Sequence, residues 1–243
     1  MRKTVLITGG SRGLGRACAL KFAQLDYNVI INYNNSLKEA VSLEAYLKEN
    51  YNISVLLVKA DISKEDEVIN MVNVIKNSFQ KVDCLVNNAG IAIDTLFEDK
   101  TVQNFKKIID VNLIGTFLVS KYIGSLMFKE KSGTIINVSS TNAIDTYYPY
   151  SLDYDASKAG VISLTHNLAR QFAPYIRVNC VAPGWINTEM NKELDKEFIE
   201  EENKKILLGR FSEPSEIANV IAFLASHEAS YINGSVIRVD GGY

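Results

Sequence analysis

Thr4-Val5-Leu6-Ile7-Thr8-Gly9-Gly10-Ser11-Arg12-Gly13-Leu14-Gly15 decides the fold. A short aliphatic run meets a cluster of glycines, and an amphipathic segment begins inside that cluster. Gly9, Gly13 and Gly15 let a backbone turn sharply and approach an anion. The helix they open offers unpaired N–H groups and the positive end of its dipole. The spacing is not G-x-G-x-x-G, and a glycine-rich loop alone is weak evidence. Its place in the first strand-to-helix turn makes a dinucleotide pyrophosphate the expected occupant, rather than a bare turn.

Outward from this loop, short β-branched runs alternate with longer amphipathic ones. Strands are predicted at 4–8, 28–33, 53–59, 82–87, 133–139, 176–182 and 235–239. Their apolar residues show little alternation, the pattern of strands buried on both faces of a parallel sheet. Helices are predicted at 13–25, 37–50, 64–79, 102–128, 154–173 and 214–225. This order implies right-handed crossovers and an α/β, Rossmann-type doubly wound parallel sheet of seven strands with helices on both faces. Ser36 and Ser63 are expected N-caps, and Pro214 suits a first helical turn. No linker or repeat interrupts the pattern, so residues 1–243 are read as one nucleotide-binding domain. The segment 184–210 is the least regular. Its stretch 191–205 is highly charged with few apolar anchors, and reads either as a solvated surface helix or, over 185–210, as a mobile lid.

Bulk properties narrow the function. A net charge of −2 gives no basic footprint for nucleic acid. No apolar run is expected to span a membrane, and the first one is too short for a signal core. Cys18, Cys84 and Cys180 are scattered in apolar segments. They suit a core in a reducing compartment, so a cytoplasmic protein is expected. His166 and His227 lie far apart without a ligand cluster, and no metal site is expected.

The second strand ends Ile30-Ile31-Asn32-Tyr33-Asn34-Asn35, without the carboxylate that usually holds an NAD ribose. Asp26 precedes that strand and belongs to the turn before it. Arg12, in the glycine loop, can meet a 2′-phosphate with charge-assisted hydrogen bonds. NADP(H) is therefore expected over NAD(H), with Asn32 and Asn34 near the ribose.

Tyr154-Asp155-Ala156-Ser157-Lys158 puts a phenol and an ammonium on one helix face. A free phenol near pKa ~10 is a poor acid–base catalyst at neutral pH, and a nearby ammonium is expected to lower it. Ser140 closes the fifth strand, where a hydroxyl faces the ligand crevice and can hold a developing oxyanion. Asn87-Asn88-Ala89-Gly90 ends the fourth strand, and Asn112 lies in the helix that follows. Each alone reads equally well as a turn or packing residue.

Together these motifs, with Asp61 and Pro183-Gly184-Trp185-Ile186-Asn187-Thr188, make the chain resemble the short-chain dehydrogenase/reductase superfamily along essentially its whole length. The resemblance implies a catalytic tetrad of Asn112, Ser140, Tyr154 and Lys158, and a strand order of 3-2-1-4-5-6-7. It implies cofactor contacts from Gly9, Ser11, Arg12, Gly13, Leu14 and Gly15. Asp61 and Ile62 would flank the adenine. Asn88, Ala89, Gly90, Tyr154, Lys158, Pro183, Gly184, Ile186 and Thr188 would line the rest. A homotetramer is the usual assembly. Within the superfamily the chain is most similar to the 3-oxoacyl-acyl-carrier-protein reductases of fatty-acid synthesis and to nearby sugar-alcohol dehydrogenases. The resemblance thus implies an NADPH-dependent ketone reductase. Alternatives are an enzyme for a sugar, polyol, steroid or other small carbonyl, and a non-catalytic cofactor sensor.

Two departures concern the substrate. Carrier-protein reductases dock an acidic partner with basic residues before the fifth and sixth strands. Lys131 suits the first, but the turn before the sixth has none, since Arg177 lies inside the strand. The loop 141–153 is one residue longer and carries Tyr147, Tyr148, Tyr150, Asp145 and Asp153. Its aromatic rings suit a pocket or a subunit interface, and its acids would repel an acidic carrier.

Overall fold

The computed structural model describes residues 2–146, 148–191 and 194–243. Its strands are β1 (Thr4–Ile7), β2 (Asn28–Tyr33), β3 (Val55–Lys59), β4 (Cys84–Asn87), β5 (Gly133–Val138), β6 (Ile176–Pro183) and β7 (Val236–Val239). Its helices are α1 (Gly13–Gln24), α2 (Leu37–Asn50), α3 (Glu65–Ser78), α4 (Val102–Ile109), α5 (Gly115–Lys129), α6 (Leu152–Phe172), α7 (Lys196–Lys205) and α8 (Pro214–Ala225). The strands pair in parallel in the order β3-β2-β1-β4-β5-β6-β7, as expected. The order reverses between β1 and β4, so the loops leaving those strands diverge and open a crevice at their C-terminal ends.

Successive residues of β1 explain the missing alternation. Val5 and Ile7 enter an apolar layer with Phe22, Leu43 and Ile221. Leu6 enters the opposite layer with Val119, Ile123 and Phe172. With both faces covered, the strand has no solvent-facing side onto which polar residues would alternate.

Local details depart from the sequence reading. Ser36 occupies the α2 N-cap position without bonding the helix, because its hydroxyl meets Ser11 Oγ at 2.6 Å. Ser63 is not a cap: Lys64 precedes α3, and the Ser63 hydroxyl donates to Asp61 Oδ1 at 2.7 Å. The single helix predicted at 102–128 is α4 and α5 joined by a π-helical turn, Asp110–Ile114. Such a turn leaves no periodic signal, and it often marks a functional position. Contrary to expectation, Val102–Lys129 is long and apolar enough to cross a membrane by composition (mean hydropathy 1.4). Half of that window is buried in the fold, where α5 packs on α3 and β5, as a core helix does.

Candidate active site

The crevice floor is a staple between two loops. Thr8 Oγ1 accepts the N–H groups of Asn88 (3.0 Å) and Ala89 (3.1 Å). Asn88 Nδ2 returns hydrogen bonds to the carbonyls of Thr8 (3.0 Å) and Gly9 (3.1 Å). Gly9 sits at φ +60°, and a Cβ on Gly15 would lie 2.2 Å from the Gly9 carbonyl oxygen. Only glycine closes this turn, leaving backbone open to an anion. Gly13 faces Thr188 across the loop, where a Cβ on it would meet Thr188 Cγ2 at 3.7 Å. Leu14, just inside α1, is buried against the sheet.

The residues expected near the ribose divide into two sets. Arg12, at the α1 N-cap position, and Asn34, beyond β2, are exposed. Asn32 and Ser11 are buried. Asn32 spends its amide inside the protein, accepting from Gly9 N at 3.4 Å and donating to the Val58 (3.4 Å) and Ala60 (3.1 Å) carbonyls. Its side chain braces the glycine loop from behind. Asp61, after β3, lines a groove of about 560 Å³ with Ser63, Val102, Lys106, Asp110 and Val111. Ile62 beside it is buried. A backbone cradle that side chains would fill, with exposed Arg12 within the same loop, fits a dinucleotide. Pro183 ends β6, Gly184 N donates to the Val239 carbonyl at 3.2 Å, and Ile186 bridges to Ser212.

Opposite this cradle, α6 carries Tyr154 and Lys158 one turn apart. Lys158 is buried; its Nζ donates to the Val138 carbonyl at 2.8 Å and lies 5.6 Å from the Tyr154 ring centroid. Ser140 follows β5, and its hydroxyl is near enough to the Tyr154 phenol to favour the ionised form. Asn112 sits in the π turn, fully buried. It accepts from Ile91 N at 2.8 Å and donates to the Ile91 carbonyl (2.9 Å) and Ser157 Oγ (3.0 Å). Gly90 is the space between: a Cβ there would lie 3.4 Å from both Asn112 Oδ1 and Lys158 Nζ. The four residues of the expected tetrad therefore converge.

Their electrostatics differ from the sequence reading. Burial pushes Tyr154 up to about 12; the nearby Ser140 hydroxyl opposes this, while Asp155 and Asp94 add to it. Burial pulls Lys158 down to about 8. Lys158 is not among the groups that shift the phenol; its Nζ donates to the Val138 carbonyl. The phenol stays protonated at neutral pH.

The loop rings expected to shape a pocket or an interface meet partners that the sequence reading missed. Tyr148 packs edge-on against Tyr150 (5.3 Å), Trp185 (5.9 Å) and Phe198 (6.0 Å), and Trp185 stacks on Phe211 at 5.3 Å. Glu202, buried on α7, accepts the Trp185 indole N–H at 2.9 Å and hydrogen-bonds Tyr243. α7 is largely exposed, as the solvated-helix reading expects, and Glu202 ties it down by a polar contact that hydrophobic patterning cannot register. Tyr147 and residues 192 and 193 lie outside the described residues. The acids of the long loop are not a free negative surface. Asp153 is buried against Lys100, and Asp145 takes both oxygens to Arg238. Arg177 donates to the carbonyls of Leu224, Ser226 and Ile232, closing the end of α8. Lys131 lies over the Tyr175 ring at 5.5 Å.

A family model described as enoyl-(acyl carrier protein) reductase matches residues 9–243. The chain is 40% identical to the 3-oxoacyl-[acyl-carrier-protein] reductase of Staphylococcus epidermidis, over 100% of this chain and 99% of the relative. It is 39% identical to the enzyme so named in Synechocystis, over 99% of this chain and 96% of that one. Among solved structures it is similar to levodione reductase, with a TM-score of 0.93, 34% identity and coverage of 99% and 96%. A dehydrogenase/reductase from Sinorhizobium meliloti superposes with a TM-score of 0.92, 30% identity and coverage of 99% and 94%.

Proposed function

The chain belongs to the short-chain dehydrogenase/reductase superfamily, and from that premise we propose that it is an NADPH-dependent reductase of 3-oxoacyl-acyl-carrier-protein thioesters in fatty-acid synthesis. One arrangement carries the chemistry: the Tyr154 phenol, kept protonated by burial, stands near the Ser140 hydroxyl and one helical turn from buried Lys158. The two hydroxyls suit a ketone oxygen, which needs a donor as charge builds and a proton afterwards. The names of relatives that align along the whole chain support the carrier-linked substrate.

A nicotinamide nucleotide, when bound, supplies the hydride. Ser140 donates to the substrate carbonyl and Tyr154 protonates its oxygen. Lys158 grips the nicotinamide ribose, and Asn112 holds a water through which Lys158 is reprotonated. Gly9, Ser11, Arg12, Gly13, Leu14 and Gly15 hold the phosphates; Asp61 and Ile62 flank the adenine. Asn88, Ala89, Gly90, Pro183, Gly184, Ile186 and Thr188 line the nicotinamide end. The β2 terminus without an acid and the exposed Arg12 support the choice of NADP(H). Residues 185–210 form the substrate lid of a single-domain chain. Exposed Val102, Phe117 and Phe128 support assembly into a homotetramer, and the buried free cysteines support a cytoplasmic setting.

A second reading, a compact cyclic or sugar-like carbonyl, is favoured by the aromatic cluster around Trp185. Steady-state rates with NADPH or NADH against a carrier-linked 3-oxoacyl thioester, free ketones and sugars decide between them. A kcat/KM highest for the free carbonyls overturns the carrier assignment.

A further inference from the structure

Ser140 and Tyr154 come from different elements, and their alignment needs a brace. Asn142 supplies one. Its backbone N–H donates to Ser140 Oγ at 3.2 Å, and its side-chain Nδ2 donates to Asp155 Oδ1 at 3.0 Å. Ser151 Oγ donates to the same Asp155 oxygen at 2.8 Å. A hydroxyl that accepts a backbone N–H keeps its single proton for another partner. Ser140 is therefore left with its O–H free to donate to an oxygen placed beside it. Asp155 lies in the first turn of α6, adjacent in sequence to Tyr154, where a carboxylate also suits the helix dipole.

Resting on the reading of Ser140 and Tyr154 given above, we propose that Asp155 is a positioning residue. Through Asn142 it aims the Ser140 hydroxyl, and one residue along α6 from Tyr154 it sets a carboxylate in the surroundings of the phenol. The groups facing Tyr154 are Ser140 from the end of β5, Asp94 from the loop after β4, and Asp155 and Lys158 from its own helix. Those facing Asp155 are Asn142, Ser151, the Tyr148 backbone, Asp153 and Asp94. Burial is the main cause that holds Tyr154 up, and the two nearby carboxylates add to it by disfavouring a phenolate. Removing one carboxylate therefore makes the phenolate easier to form.

Three variants separate the two roles. Asp155→Ala removes brace and charge, and kcat falls roughly tenfold while KM for NADPH holds. Asp155→Asn keeps an acceptor for Asn142, so it recovers most of that loss. Alcohol oxidation uses the phenolate, so in Asp155→Asn its alkaline rise moves roughly half to one pH unit lower. Asn142→Ala removes the brace alone, giving a low kcat with that rise near its original pH. A purely structural Asp155 would lower the melting temperature while leaving the pH profile in place. An unmoved profile in Asp155→Asn, or a normal kcat in Asn142→Ala, overturns the proposal. Tyr154→Phe run alongside distinguishes the premise: full turnover there sinks the reading of the site itself, whatever the Asp155 variants do.

Discussion

Lys100 and Asp153 form an ion pair at 2.9 Å whose side chains are 4% and 0% exposed. The lysine also donates to the carbonyls of Ile93 (3.0 Å) and Tyr150 (3.1 Å), and Asp153 Oδ1 accepts the Tyr154 N–H at 3.0 Å. One ammonium thus ties the loop after β4 to the loop that enters α6. Removing one partner of a buried pair strands the other charge and costs about 3–5 kcal/mol. Lys100→Met is expected to lower the unfolding free energy by that order in urea denaturation. Lys100→Met/Asp153→Asn should recover most of it, because no buried charge remains.

Tyr154→Phe keeps the ring and removes the acid. Turnover is expected to fall roughly 10²–10⁴-fold, the usual worth of a positioned proton donor. NADPH affinity, measured by fluorescence titration, should change less than about threefold. Near-normal turnover would contradict the assigned role.

Gly15→Ala forces a methyl group to within 2.2 Å of the Gly9 carbonyl. The loop must shift, at a cost of roughly 1–3 kcal/mol. NADPH binding is expected to weaken about tenfold or more, with the far-UV circular dichroism unchanged.

Arg12→Ala tests the cofactor choice. Hydrogen bonds to a charged group contribute roughly 1.5–3 kcal/mol. The variant should lose about tenfold or more in kcat/KM with NADPH and little with NADH. Equal losses with both would place Arg12 away from the 2′-phosphate.

Glu202 makes α7 sensitive to acid. Burial raises its carboxyl, but donors from Lys205, Tyr243 and Trp185 outweigh it and hold the group below its ordinary value. A depressed folded-state value adds stability that is present above the unfolded value and is lost as pH falls through the folded one. Proteolytic cleavage within 196–205 should therefore speed up below about pH 4, the ordinary carboxylate range. Glu202→Gln should cleave readily at neutral pH and show little further change on acidification.

How much of this was legible in the sequence follows from the range of the interactions. Val5, Leu6 and Ile7 announced a doubly buried strand because burial on both faces is a property of consecutive residues. Tyr154 and Lys158 were legible because one helical turn joins them. The π turn at Asn112 was not, since one extra residue per turn carries no hydrophobic signature. Lys100 and Asp153 stand 53 positions apart, and each alone reads as a surface charge. Trp185, Glu202 and Tyr243 meet only after α7 has docked.

The contact between Thr8 Oγ1 and the Asn88 N–H spans 80 positions of chain. The dinucleotide cradle therefore cannot exist in the first βαβ unit alone; it appears only when β4 has inserted beside β1. A ligand that recognises this cradle binds the assembled sheet and not its partly folded precursors, and mass action then favours the finished molecule. Cofactor supply in the cell would thereby act as a check on folding, sparing from degradation those copies whose central strands have met.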